Sequence, residues 1–182
     1  MIRTAAFTVV ELLVVMAMIL VLAGLILATS GYVQKKGQHS RAEAEIAAMS
    51  AALENYKADN GIYPRDANSS DRADPVGNLS DAAYTSASVF LYEQLFGALN
   101  GARTPTTSAK IYFPFKPNML NPPQPSTDPV TSIRDPFGNP YGYSTAKAAN
   151  PGGAIGVNPT FDLWSIADGA AGADQTKWIK NW

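Results

Sequence analysis

Phe7 to Ala28 reads FTVVELLVVMAMILVLAGLILA, 22 residues with a single charge at Glu11. At about 1.5 Å per residue a helix of that length spans roughly 33 Å, close to the ~30 Å hydrocarbon core of a bilayer, so the segment can cross a membrane once. An ordinary secretory signal has a shorter apolar stretch, of about 7–15 residues, followed by a small-residue cleavage site. Here the small pair Ala5-Ala6 precedes the apolar run, and cleavage there leaves the helix attached. An acid within a spanning helix costs around 2.5–3.5 kcal/mol at its centre on insertion scales, so Glu11 needs a partner. Two arrangements supply one: the side chain lies near the helix end and reaches the headgroups, or it meets a cation from a neighbouring chain.

Working outward, Ala42, Ile46, Met49, Leu53 and Tyr56 recur at spacings of four, three, four and three, with Glu43, Glu45, Glu54 and Lys57 between them. This is one apolar stripe on a helix, set to face a core. Gly61 offers a stop, and Tyr63-Pro64 opposes continuation. Unbroken from Phe7 to Asn60, the helix has 54 residues and a length of about 81 Å. Gly24 and Thr29-Ser30-Gly31 are the weak points at which it can bend or melt.

Asp66 to Asp81, rich in Asp, Asn, Ser, Gly and Pro, reads as a solvent-exposed loop. Residues 91, 92, 95 and 96 within 88–96 follow helical spacing and predict a short second helix. Ile111-Tyr112-Phe113 predicts a brief strand, and Pro114, Pro117, Pro122, Pro123, Pro125 and Pro129 mark an irregular crossing. Asp135-Pro136-Phe137-Gly138-Asn139-Pro140-Tyr141 is a turn leading into a strand at Tyr141–Ser144, whose antiparallel partner is Thr160–Ser165. Next comes an acidic, glycine-rich loop, Ile166 to Asp174, followed by Trp178 and Asn181-Trp182. Asp168-Gly169 alone is a turn. Two carboxylates across such a loop can also converge on a hard cation, and Ca²⁺ takes six to eight oxygens from carboxylates, carbonyls and water.

Composition bounds the function. Fourteen basic against 15 acidic residues, a net charge of -1, supply no basic field for nucleic acid. Without cysteine there is neither a disulfide framework nor a thiolate nucleophile. The only histidine, His39, stands in a charged helical stretch, and no phosphate-cradling glycine fingerprint is present, so no catalytic residues are expected.

Ala6-Phe7-Thr8-Val9-Val10-Glu11-Leu12-Leu13-Val14-Val15 resembles the processing site of type IV prepilins. The departure is Ala6, where the family usually has Gly. By resemblance, a prepilin peptidase cuts between Ala6 and Phe7, the new Phe7 amine is methylated, and Glu11 pairs with the Phe7 amine of an adjacent subunit to set the filament register. The Asp135-Pro136-Phe137-Gly138 motif, the later Trp164-Ser165 strand and the acidic loop resemble the major pseudopilins of type II secretion, the calcium-loop type. That resemblance implies calcium held by Asp168, Asp174 and the Ile166 carbonyl. The loop is one residue shorter than the family's pattern, and Gln175 stands where a second adjacent acid often occurs, which lowers the site's charge. The resemblance touches both ends and leaves roughly residues 65 to 130 uncovered.

The expected fold is α+β: a pilin-like lollipop whose long N-terminal helix packs on a small antiparallel sheet, with a loop-rich insertion. Residues 1–6 form the leader, 7–30 the transmembrane and filament-core helix, and 31–182 a periplasmic or extracellular head that includes the outer half of the helix. The expected function is structural: subunit of a homopolymeric filament, the major pseudopilin of a type II secretion system, or alternatively the major pilin of a surface type IV pilus serving adhesion, motility or DNA uptake. The implied partners are the membrane before assembly, minor pseudopilins, and a bacterial inner-membrane platform with its ATPase. Lys35, Lys36 and Arg41 follow the apolar run while only Arg3 and the initial amine precede it, so the positive-inside rule alone keeps the head in the cytoplasm. The resemblance instead places the head outside, with the filament periplasmic or at the cell surface.

Overall fold

The computed structural model describes residues 8–76, 82–169 and 175–182, with the side chains of residues 27–30 excepted. Helix α1 runs over Val9–Asn60 and α2 over Ala82–Phe96. Five short strands follow: β1 (Leu120–Asn121), β2 (Ser132–Ile133), β3 (Gly142–Ser144), β4 (Asp162–Ser165) and β5 (Ile179–Lys180), with a four-residue helix α3 (Ala146–Ala149) after β3. The chain falls into two compact units, divided between Gln38 and His39 inside α1.

In the first unit, from Val9 to Ile26, every described residue of α1 is exposed. An apolar helix with no protein around it is long and apolar enough to cross a membrane. The helix continues unbroken through Gly24 and Thr29–Gly31, the points at which the sequence allows it to melt. A single glycine costs only about 1 kcal/mol in a helix interior, and the ladder of bonds on either side propagates cooperatively across it.

The second unit has one main core. Ala42, Ile46, Met49 and Leu53 of α1 are buried as the stripe predicts, and Tyr56 is partly buried against them. Fully burying each of the larger side chains stabilises by roughly 1.5–3 kcal/mol. Glu45, read from sequence as a polar interval, also turns inward, with only 7% of its surface exposed. It is held by Arg41 Nε at 2.7 Å and by the Tyr141 hydroxyl at 2.8 Å, which ties α1 to the start of the sheet.

The second helix begins a turn and a half before the expected Ser88. Its buried positions, Tyr84, Ala87, Ser88, Leu91, Tyr92 and Leu95, follow helical spacing, but small Ala87 and polar Ser88 hide the pattern. Ser88 is buried because its hydroxyl accepts the Ile133 N–H at 3.0 Å.

Ile111–Phe113 is not a strand. The N–H groups of Tyr112 and Phe113 both donate to the Leu95 carbonyl, at 2.8 and 3.0 Å, satisfying the open C-terminal end of α2. Within the proline-marked crossing, β1 and β2 form an antiparallel ladder, Leu120 opposite Ile133 and Asn121 opposite Ser132.

The predicted hairpin is present. Strands β3 and β4 are antiparallel with Gly142 opposite Trp164, Tyr143 opposite Leu163 and Ser144 opposite Asp162, and β5 adds on the far side of β4. Phe161 and Leu163 enter the main core, while Trp164 and Ile166 point to the other face and meet Tyr84 and Trp178. A side chain on Gly142 would overlap the Trp164 indole, with its Cβ 2.1 Å from the ring, so only glycine lets this strand pair close.

The described part of the loop expected to be exposed, up to Val76, is partly buried instead. Ser70 is fully buried, its carbonyl accepting the Thr145 N–H and its hydroxyl accepting the Thr145 hydroxyl at 2.8 Å; Ser144 donates to the Ala73 carbonyl at 2.6 Å. Polar composition here serves hydrogen bonds to the end of β3 rather than to water.

Candidate functional site

Two places carry the residues singled out by sequence. The first is the N-terminal end of α1. Ala6 and Phe7, the cleavage and methylation positions, lie outside the described residues. Glu11 is described, and its carboxylate turns back onto its own helix end. The Thr8 N–H and the Thr8 hydroxyl both donate to Glu11 Oε2 at 2.8 Å, and the Glu11 N–H donates to Thr8 Oγ1 at 3.2 Å. With Thr8 as N-cap and Glu11 three residues on, this is a reciprocal capping box, which satisfies amide groups that a helix start leaves open. The signal was legible as Thr8-x-x-Glu11 ahead of an apolar run.

The chemical consequence is that Glu11 has its hydrogen-bond partner within its own chain. A carboxylate accepts about four hydrogen bonds and the box uses two, so capacity remains for a cation. A negative charge at this position also sits favourably against the positive end of the helix dipole.

The second place is the entry to the acidic loop. Asp135, 4% exposed, points its carboxylate into its own turn: Oδ1 accepts the N–H groups of Phe137 and Asn139 at 3.0 and 2.8 Å. Oδ2 accepts the Ser165 hydroxyl at 2.6 Å. Ser165 in turn accepts the Ala167 N–H at 3.0 Å, and the Asn139 side-chain amide donates to the Ala167 carbonyl at 2.8 Å. Ala167 is thus gripped at both its amide and its carbonyl, which holds it in the left-handed region at φ 52° that a non-glycine residue rarely adopts. Gly138, at φ 98°, provides the return of the Asp135 turn. Burial pushes the Asp135 carboxyl above the usual range, against the downward pull of Ser165 and the turn amides.

This relay accounts for the Asp-Pro-Phe-Gly motif physically. It joins a turn before β3 to the exit of β4 and fixes where the acidic loop begins. Sequence reading found the turn but not its connection to Ser165, 30 residues later.

Of the predicted calcium ligands, Asp174 lies outside the described residues. Asp168 is exposed at the turn that Ala167 starts. The Ile166 carbonyl accepts the Gly169 N–H at 2.9 Å, which leaves its second lone pair for another partner. One carboxylate and one carbonyl are hard oxygen donors of the kind that Ca²⁺ takes, and they supply part of the six to eight it needs. Among the described residues no group of three or more His, Cys, Asp or Glu converges as a metal cluster. The indole N–H groups of Trp164 and Trp178 are buried without a partner among the described residues. They are donors and cannot ligate a cation.

No protein-family model, curated protein or solved structure matches the chain.

Proposed function

We infer that the chain is a structural subunit of a type IV pilin-like filament, the major pseudopilin of a type II protein secretion system. The observation that carries the reading is α1 itself. One helix begins with an acid and its capping threonine, continues as an apolar segment exposed on all sides, and ends with a stripe buried in an α+β core. A helix that is apolar all round requires an apolar surrounding. Lipid supplies it before assembly, and the same segments of neighbouring subunits supply it afterwards.

In this reading residues 1–6 are a leader removed by prepilin peptidase, residues 7–30 form the membrane and filament-core segment, and residues 31–182 form the head outside the cytoplasm. Glu11 is held by Thr8 in the stored subunit and spends its remaining acceptor capacity on the Phe7 amine of the next one. Asp168, Asp174 and the Ile166 carbonyl would hold calcium, which when bound neutralises the charge of the acidic loop. The chain's own role is mechanical, and an ATPase on the inner-membrane platform supplies the energy.

The test is electron microscopy of sheared surface and periplasmic fractions from cells producing wild type or Glu11→Ala, with mass spectrometry of the amino terminus. Filaments in wild type only, built of chains starting at methylated Phe7, are the expected result. Location decides between a periplasmic pseudopilus and a surface pilus. Unprocessed chains that never polymerise would overturn the reading.

A further inference from the structure

Beyond assembly, the stretch where α1 leaves the apolar segment carries a charge pattern of its own. Between Glu11 and Glu43 the chain contains no acidic residue, yet Lys35, Lys36, His39 and Arg41 fall within seven positions. The structure sorts these four. His39 and Arg41 pair with acids one turn later, His39 Nδ1 with Glu43 at 3.3 Å and Arg41 Nε with Glu45 at 2.7 Å. Lys35 and Lys36, nearer the apolar segment, are exposed. Tyr32 precedes them by three and four positions, so all three share one helix face, and Tyr32 is 72% exposed.

Spacing gives this face a depth. Tyr32 follows Glu11 by 21 positions, about 32 Å of helix at ~1.5 Å per residue, against a ~30 Å hydrocarbon core. Tyr32 stands two positions beyond the 7–30 membrane segment, the level where amphipathic aromatic rings concentrate. The two ammonium groups then reach the layer of lipid phosphates, with their methylene stems along the apolar side.

We propose that Tyr32, Lys35 and Lys36 form a collar that binds the headgroups of anionic phospholipids and fixes the depth of the stored subunit in the membrane. The proposal rests on the membrane-spanning reading of α1. Charge complementarity selects the occupant: a two-lysine face with an aromatic ring matches phosphodiester headgroups carrying a net negative charge better than zwitterionic ones.

The experiment uses the full chain reconstituted in vesicles of equal phosphatidylcholine and phosphatidylglycerol. Flotation through a density gradient reads insertion, and spin-labelled lipids read the relative association of the two headgroups with the protein. Wild type is expected to float and to prefer phosphatidylglycerol. Each Lys→Gln change at 35 or 36 should lower the preference about 5-fold, the factor that about 1 kcal/mol per basic residue near an anionic surface represents. The control Lys116→Gln/Lys177→Gln, with two exposed charges removed from the head, should leave the preference unchanged. A floating wild type with no headgroup preference, or one that Lys35→Gln/Lys36→Gln retains, overturns the collar alone. A wild type that does not float overturns the spanning reading with it.

Discussion

Replacing Asp135 with alanine removes the acceptor for three donors at once: the amides of Phe137 and Asn139 and the hydroxyl of Ser165. A buried donor left without a partner costs about 1–3 kcal/mol. Ser165 is fully buried and carries the full cost, whereas Phe137 and Asn139 are half-buried, so water replaces part of their loss. Removing the carboxylate also returns the cost of holding a charge in the interior, which the upward displacement of its pKa expresses. The balance is a loss of about 3 kcal/mol, or roughly 10 °C in Tm for a unit of this size.

Asp135→Asn keeps an acceptor for the two amides and should lose less than half as much. Ser165→Ala shares the broken bond, so the double variant should be more stable than the two single losses added together, by about 1 kcal/mol. Scanning calorimetry of the full chain in detergent micelles measures all four. A Tm change under about 2 °C for Asp135→Ala, or strict additivity with Ser165→Ala, would refute the idea that this carboxylate holds the loop entry. The pH dependence gives an independent sign. Because the folded pKa is raised, the stabilising contribution of protonation is complete below the unfolded value of 3.8 and is lost as pH rises through the folded one. Wild type should therefore lose stability relative to Asp135→Asn across that window.

Other outcomes follow from single contacts. Gly142→Ala places a Cβ inside the Trp164 ring and should cost about 1–3 kcal/mol, read as a lower Tm with weakened protection of the β3 and β4 amides from hydrogen exchange. Thr8→Val removes the two bonds of the Thr8 hydroxyl, donated to Glu11 Oε2 and accepted from the Glu11 N–H, and should destabilise the first turn of α1 by about 1 kcal/mol, seen as faster amide exchange over the first helical turn in micelles, with Thr8→Ser restoring protection. Burial holds Tyr92 up to about 12 and displaces Tyr84, Tyr141 and Tyr143 upward as well, so these phenols should stay protonated at pH 10 in a spectrophotometric titration. Their contribution to stability, present below the unfolded value near 10, is lost as pH rises toward 12 and beyond; tyrosinate absorbance at pH 10.5 equal to that of all eight tyrosines would contradict the buried core.

The long helix and the hairpin were readable because each repeats a simple period over enough residues. The run to Ala28 is apolar on every side over a bilayer's length, the stripe from Ala42 to Leu53 defines one face, and the strand around Trp164 is bounded by turn residues. What escaped has a common physical cause. The first half of α2 buries Ala87 and Ser88, which have too little apolar surface to register as a stripe. Strands β1, β2 and β5 are two residues long, shorter than any alternation. The polar loop after Asp66 earned its burial from hydrogen bonds to Thr145 and Ser144, partners about 70 positions away. At the candidate sites, Glu11 was visible as an anomaly in an apolar segment, whereas its partner Thr8 was missed, although the Thr8-x-x-Glu11 spacing is the signal that marks it. Asp135 was visible only as a turn residue, because its bond to Ser165 exists only after the sheet has formed.

All three tryptophans of the chain gather on one face of the β3–β4–β5 sheet, where Trp164 and Trp178 bury beside Tyr84 and Trp182 packs against them. The Tyr84 ring lies 5.6 Å from Trp164, close enough for excitation absorbed by one to be emitted by the other. Intrinsic emission from this chain is therefore a local probe. Its colour and intensity follow the sheet and the ends of the acidic loop, and it is silent about the apolar half of α1, which has no tryptophan. A core that melts while the apolar helix is unchanged would alter the light completely, and a change confined to the apolar helix would pass in the dark.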